Sequence, residues 1–353
     1  MAGILNMQNF TFCGEVIRAV NELLFDETIK SPELGSIHQV WTGIVTDKEV
    51  GYIGKGGIIG VPTTGCDPQP QNWGISTRKV KWSPETWEFL IAACWTDLEN
   101  AASVYSLKTG KDIPDFTDSD YMAIIVEVLG DSLLDMMWRW IWFNDKAAKN
   151  VSDSGVITDG LDLRHFTLID GLWKQIYTEI GGDGAAQHTA TITENAGASY
   201  EAQTLNPNNV IGYLQKVVMG APLLLRRQRD KELLVTQSVY DAYQIALEGL
   251  GLSETYRNLV DGQATLYYNG IPLRPLPVWD EMIAEYENTG TKLHDPHRIL
   301  FTTKGTLAVG VDSENSYQDF NTWYDRDSRK VKMEGFGRID AKLANPAMFS
   351  LGI

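Results

Sequence analysis

The chain has 353 residues, enough for one large or two ordinary domains with a sizeable core, and 43% hydrophobic against 22% charged residues excludes global disorder. Its formal net charge of −16 and pI near 4.7 argue against a surface built to hold phosphate backbones or anionic lipid. Cys13, Cys66 and Cys94 match no zinc or redox spacing and are expected as buried, reduced thiols. With no basic-then-apolar leader and no spanning apolar run, the expectation is a soluble, untargeted protein without a cofactor or a membrane partner.

In chain order, Val16, Ile17, Val20, Leu23 and Leu24 fall at helical spacing and predict a short helix from Glu15 to Phe25, ended by Pro32 and Gly35. The stretch VWTGIVTDKEVGYIGKGGIIGVP, the polar CDPQPQNWG and then ISTRKVKW predict a long glycine-rich hairpin too poor in apolar residues to bury itself, so it must lie on something else, such as a neighbouring chain. SPETWEFLIAACWTDLEN fits a helix or a strand and is left open, with Ser83-Pro84 a good helix start. DSDYMAIIVEVLGDSLLDMMWRWIWFND predicts a helix from Asp120 to Asn144, about 38 Å long, with Met122, Ile125, Val126, Leu129, Leu133, Met136, Met137 and Trp140 on its apolar stripe. Trp138, Trp140 and Trp142 point different ways, so its end is expected to be wrapped on several sides.

FTLIDGLWKQIYTEI predicts another helix, and GGDGAAQHTATITENAGAS a loop. Asn206-Pro207 starts the helix NNVIGYLQKVV, ELLVT is a strand, and Ser238 is expected to cap VYDAYQIALEGL. In TLYYNGIPLRPLPVWD, Asn269-Gly270 makes a tight turn, and Pro272, Pro275 and Pro277 predict a stiff architectural corner in which no helix forms. RILFTTKGTLAVGVD and the strands around NTWYDRDSRKVKMEGFGRID close the chain with β structure.

Chemical motifs are few. GYIGKGGIIG lacks the Lys-Ser or Lys-Thr of a phosphate loop, and Asp118 and Asp120 read as capping residues before the long helix. His294, Asp295 and His297 surround Pro296 and read as a surface turn, not a metal site; His38, His165 and His188 are scattered, and no serine or cysteine sits in a nucleophile elbow. Arg226, Arg227, Arg229 and Lys231 form the basic cluster, read as a solvated face or as a partner for carboxylates of another subunit.

The succession of arm, glycine-rich hairpin, very long helix, compact α/β middle and β closure resembles the major capsid protein of tailed bacteriophages, the Hong Kong ninety-seven fold. FTLIDGLWKQI, GAPLLLRRQRDKELLVTQSVYDAY, TLYYNGIPLRPLPVWD and HRILFTTKGTLAVGVDSENSYQDFNTWYDRDSRKVKMEGF carry the resemblance, which spans nearly the whole chain. It implies an α+β fold with an N-terminal arm at 1–40, an extended loop at 41–82, a peripheral domain at 83–165 with a spine helix at 118–149, an axial domain at 166–300 and return strands at 301–353. The implied function is structural. The chain would associate with itself as hexamers and pentamers in the icosahedral head of a tailed phage, assembled in the bacterial cytoplasm and retained in the virion.

Further implied partners are scaffold, portal and decoration proteins, and the shell would enclose double-stranded DNA without sequence-specific binding. Subunit-interface candidates are Tyr52, Lys55 and Trp73 on the loop, Trp138 and Trp142 on the spine, Arg226, Arg227 and Arg229, and the corner prolines Pro272, Pro275 and Pro277. Some family members lose an N-terminal scaffolding region by cleavage; the short arm here predicts no such step. Others crosslink a loop lysine, a role Lys55 could take, though neither its asparagine partner nor an assisting acid is identifiable. Rival readings are an encapsulin-like compartment and, from another class, an α+β hydrolase with paired carboxylates.

Overall fold

A computed structural model describes residues 32–44, 49–56, 75–94, 129–181, 189–251, 257–260, 263–312, 321–325, 327 and 330–353. The expected helix at 15–25, the residues Cys13, Cys66, Trp73, Asp118, Asp120 and His188, and the first part of the spine lie outside the described residues. In chain order come α1 (Pro32–Ile37), β1 (Gln39–Trp41), β2 (Glu49–Gly56), β3 (Ile75–Lys81) and β4 (Glu85–Cys94). Helix α2 (129–143) follows, α-helical to 138 and π-helical over Arg139–Phe143, then α3 (Leu172–Gly181), β5 (Thr189–Ala190), α4 (Pro207–Gly220) and α5 (Leu223–Arg226). The middle continues through β6 (Lys231–Val235), α6 (Gln237–Gly249), β7 (Arg257–Val260), β8 (Gln263–Tyr268), β9 (Ile271–Pro275) and α7 (Pro277–Tyr286). Strands β10 (Ile299–Thr303), β11 (Leu307–Val311), β12 (Asn321–Asp325), β13 (Lys330–Leu343) and β14 (Ser350–Gly352) close the chain.

Two sheets organise these elements. The first is built on the long strand β13, which carries β4 along one side and β12 and then β11 along the other, with β1 parallel to β11. The second has the order β5-β14-β10-β6-β9-β8-β7. Its central strands are buried on both faces, which explains their unbroken apolar runs. Leu233 and Val235 face α4 and α6, whereas Leu234 between them joins the opposite core; Leu300 divides Ile299 from Phe301 in the same way.

The ambiguous segment after the hairpin is a strand. Trp87 and Phe89 alternate onto the inner face of β4, stacked with ring centroids 6.1 Å apart. Room for them comes from β13: a Cβ at Gly335 or Gly337 would lie 2.7 or 2.8 Å from those rings. Gly335 pairs with Phe89 and Gly337 with Trp87, so the aromatic rings lie across the glycines opposite. Ser83 therefore caps no helix; its amide donates to Asp340.

The stripe Leu129, Leu133, Met136, Met137 and Trp140 is buried as its spacing predicts. The helix stops at Phe143, where Asn144 turns to extended backbone, so 144–149 are not part of the spine. The π turn brings Trp140, Ile141, Trp142 and Phe143 all into the core. Trp138 and Trp142 are consequently interior residues, a correction to their place among subunit-interface candidates: His38 packs on both rings, and α3 and α7 pack on Trp142.

The proline-rich corner also departs from expectation. Asn269 and Gly270 take positive φ (49° and 73°) and close the β8–β9 turn as predicted. A helix does form at its end, because Pro277 stands in the first turn of α7, where its missing N–H breaks no hydrogen bond. Helix α6 likewise starts at Gln237, and its cap comes from elsewhere: the Asp280 carboxylate of α7 accepts from the amides of Gln237 (2.6 Å) and Ser238 (3.5 Å). Asn206, in contrast, caps α4 as expected through the amide of Asn208.

Trp279 of α7 meets Trp142 of α2 at 4.7 Å and Trp173 of α3 at 4.8 Å, and Trp142 and Trp173 meet at 5.1 Å. Beneath them Arg298 is fully buried. Its guanidinium lies 4.8 Å over Trp173 and 5.6 Å over Phe143 and donates to Glu287, to the Asp295 carbonyl (2.9 Å) and to the His294 carbonyl (3.0 Å). Burial pushes the Glu287 carboxyl up, but Arg298 and His294 outweigh it and hold it below its ordinary value. This cluster joins three segments far apart in sequence. Trp279→Ala should therefore cost about 3–5 kcal/mol of stability, read by urea denaturation of the unassembled chain; a loss below about 1 kcal/mol would mean the cluster is not a keystone.

Candidate assembly interface

Strands β2 and β3 pair only with each other among the described residues, from Glu49 opposite Lys81 to Gly56 opposite Ile75, with a bulge between Ile53 and Gly56. Tyr52 and Lys55 lie on this two-stranded ribbon. A hairpin of two strands is marginal alone in water, and its one described ion pair, Lys79 to Glu49 at 2.7 Å, is exposed. Among the described residues no third strand joins the ribbon.

Its root, by contrast, is firmly fixed. One leg leaves the body at Ile44, whose amide donates to the Val311 carbonyl (3.0 Å); the other returns at Trp82. Ile44 and Trp82 are buried together with Ala308 and Ala344, and Trp41 packs alongside. Gly310 of β11 makes this possible, since a Cβ there would stand 2.8 Å from the Trp82 ring. One residue beyond Trp82, the Ser83 amide donates to the buried Asp340 carboxylate (2.7 Å), which also faces Lys342 Nζ at 3.3 Å. Burial pushes Asp340 up to about 6 despite those partners. Next in the chain, Glu85 accepts from Lys146 (2.6 Å), tying β4 to the turn after α2.

Two exposed surfaces accompany the ribbon. On the outer face of the first sheet, Leu90 is 67% exposed and Phe336 41%, diagonal to one another, with Glu88 and Glu334 as their cross-strand neighbours. At the end of α4, Met219, Leu223 and Leu224 are exposed beside the basic cluster. Arg227 and Arg229 are solvated; Arg226 donates to the Met219 carbonyl (3.3 Å), and Lys231 donates to the Arg226 carbonyl (2.7 Å). Pro272, opposite Tyr267 of β8, and Pro275, opposite Val235 of β6, are half-buried, and Pro277 at the start of α7 is exposed. The glycine-rich pattern located the ribbon and LLLRRQR carried the signal for the arginine turn, whereas the exposed pair Leu90 and Phe336 had no signal in the sequence.

Among the described residues one serine–histidine contact invites a catalytic reading. Ser238 Oγ lies 2.8 Å from His297 Nδ1, and His297 Nε2 must donate to the Gln203 carbonyl at 2.6 Å, so the serine hydroxyl donates to the imidazole. The helix amides that could steady an oxyanion already point at the Asp280 carboxylate, whose charge would repel one. His297 is buried, a correction to its reading as a surface-turn residue; its ring ties α6 to the 199–205 loop beside an open groove of about 540 Å³. Among the described residues no group of three or more His, Cys, Asp and Glu could hold a metal, and no helix is long and apolar enough to cross a membrane.

No family model and no curated protein matches the sequence. Solved structures do. A chain of the satellite phage P4 procapsid that includes the size determination (Sid) protein is 10% identical with a TM-score of 0.54, covering 98% of this chain and 92% of that one. The capsid of the native GTA particle is 10% identical with a TM-score of 0.47, over 92% and 89% of the two chains. The holo-SrpI encapsulin complex from Synechococcus elongatus PCC 7942 is 8% identical with a TM-score of 0.43, over 91% and 86%. The chain is thus an α+β protein whose body carries a firmly rooted ribbon that pairs with no other described strand. Its fold is that of tailed-phage major capsid proteins, the Hong Kong ninety-seven fold.

Asp340 makes the ribbon root sensitive to pH in a definite direction. Its folded carboxyl titrates near 6 against 3.8 for the free group, so ionisation costs stability that is fully present below the unfolded value and lost as pH rises through about 6. Asp340→Asn keeps an acceptor for Ser83 without that charge. The variant's stability relative to wild type should therefore improve by about 3 kcal/mol between pH 4 and pH 7.5 in urea titrations. A difference that stays constant over this range would show that the buried carboxylate is not penalised.

Proposed function

We propose that the chain is the major capsid protein of a tailed double-stranded DNA bacteriophage, tiling as hexamers and pentamers into an icosahedral head. The observation that carries this reading is the β2–β3 ribbon: its root is locked into the body by Ile44, Trp82 and Asp340, yet it pairs with no other described strand. Such an arrangement is stable when a neighbouring copy supplies the missing surface. In this reading 41–82 is the extended loop, 83–165 the peripheral domain, 166–300 the axial domain and 301–353 the strands that complete both. The exposed Leu90 and Phe336, and the corner prolines, are then contact surfaces between copies.

The protein acts by geometry and carries no catalytic role. A net charge of −16 suits a shell whose inner wall lets packaged DNA slide without adhering, and the chain needs no sequence-specific contact with it. Scaffold, portal and decoration proteins would be its further partners, the bacterial cytoplasm its place of assembly and the virion its destination. Negative-stain electron microscopy of the expressed protein tests the reading directly, with closed shells expected.

Two variants sharpen it. Replacing residues 49–81 with a short Gly-Ser turn should leave the body folded by circular dichroism and abolish shells. Leu90→Ser with Phe336→Ser should lower shell yield at least severalfold without lowering the chain's own stability by more than about 0.5 kcal/mol, since both side chains already face solvent. Shells that form as well without the ribbon would overturn the assignment.

A further inference from the structure

Met219 is 49% exposed, Leu223 67% and Leu224 57%, three adjacent large apolar side chains, next to Arg226, Arg227 and Arg229. An apolar surface of this kind fringed by one sign of charge fits an amphipathic segment of the opposite sign. The sequence contains one. From Glu15 to Phe25, Val16, Ile17, Val20, Leu23 and Leu24 fall at helical spacing, while Glu15 and Glu22 outnumber Arg18 and Asp26 and Glu27 follow directly.

The place where this segment joins the body lies close to the surface in question. Its last residues lead into α1, whose Gly35 carbonyl accepts from Lys304 and whose Ser36 hydroxyl accepts from Arg274 (2.8 Å). Arg274 in turn faces Glu232 at 3.9 Å, next to Lys231, which holds the Arg226 carbonyl at 2.7 Å. Lys304 also follows Thr303, which pairs with Lys231, so the arm's entry point and the arginine turn are joined through β10 and β6. The six residues between Phe25 and Pro32 span up to about 20 Å.

We propose that Met219, Leu223 and Leu224, with the three arginines, form a docking surface for residues 15–25 of the same chain. The stripe of the arm covers the leucines, and its carboxylates face the arginines. This goes beyond the shell reading and does not depend on it, because the contact is made within one copy.

Hydrogen exchange on the unassembled full-length chain, followed by mass spectrometry, tests it. Amides of residues 15–25 should be protected at least about tenfold over an unstructured segment. Leu223→Ser with Leu224→Ser should remove that protection while β6 and α4 keep theirs. Arg227→Glu with Arg229→Glu should weaken it, and adding Glu15→Lys and Glu22→Lys should restore it. Three outcomes would overturn the proposal: no protection in the wild-type chain, protection indifferent to both sets of substitutions, or protection that appears only in assembled particles, which would make the occupied surface a neighbour's. Assembly itself is scored separately by electron microscopy, so loss of shells and loss of arm protection are distinguishable.

Discussion

The contact of Trp142, Trp173 and Trp279 above the buried Arg298 is the constraint on which the rest of the structure depends. Each ring comes from a different helix, so none of the three segments reaches its place without the others. Burying a guanidinium is expensive, and the cost is offset only because a carboxylate, two carbonyls and two aromatic faces receive it at once. A buried charge with so many partners favours one arrangement of α3, α7 and the 294–298 segment over near alternatives that an apolar core of the same volume would tolerate.

From this centre the second sheet acquires two dry faces. Leu234, Leu300 and Leu351 look toward the tryptophans, while Leu233, Val235, Ile299 and Phe301 look toward α4 and α6. The first sheet, built on β13, lies against the same tryptophan core through Met333, Ile339, Ala341 and Leu343. The two sheets thus share one core, and the ribbon root grows from the rim of that shared structure where β11 and β13 meet.

The ribbon sets a rigid attachment against an unsupported projection. Trp82 cannot move without displacing the backbone at Gly310, and Ser83 is held by a carboxylate that pays a burial penalty at neutral pH. Energy thus goes into fixing the direction in which the ribbon leaves, although no other described strand pairs with it. Such spending makes physical sense where another molecule receives the strand pair.

By itself the sequence determined the elements whose signal is local. The 3.6-residue stripe through Leu129, Leu133, Met136 and Trp140, the Asn206-Pro207 helix start, the Asn269-Gly270 turn and the apolar runs ELLVT and ILFTT were legible because side-chain spacing and turn chemistry act within a few residues. The order of elements likewise made the fold class recognisable. Tertiary structure alone decided the rest. Residues 85–94 became a strand because Gly335 and Gly337, 240 residues and more away, make room for Phe89 and Trp87. Trp138 and Trp142 became core and not interface, and α6 took its cap from Asp280, because distant segments pack there. Periodicity reports which face of an element is apolar; what covers that face depends on partners the local sequence does not contain.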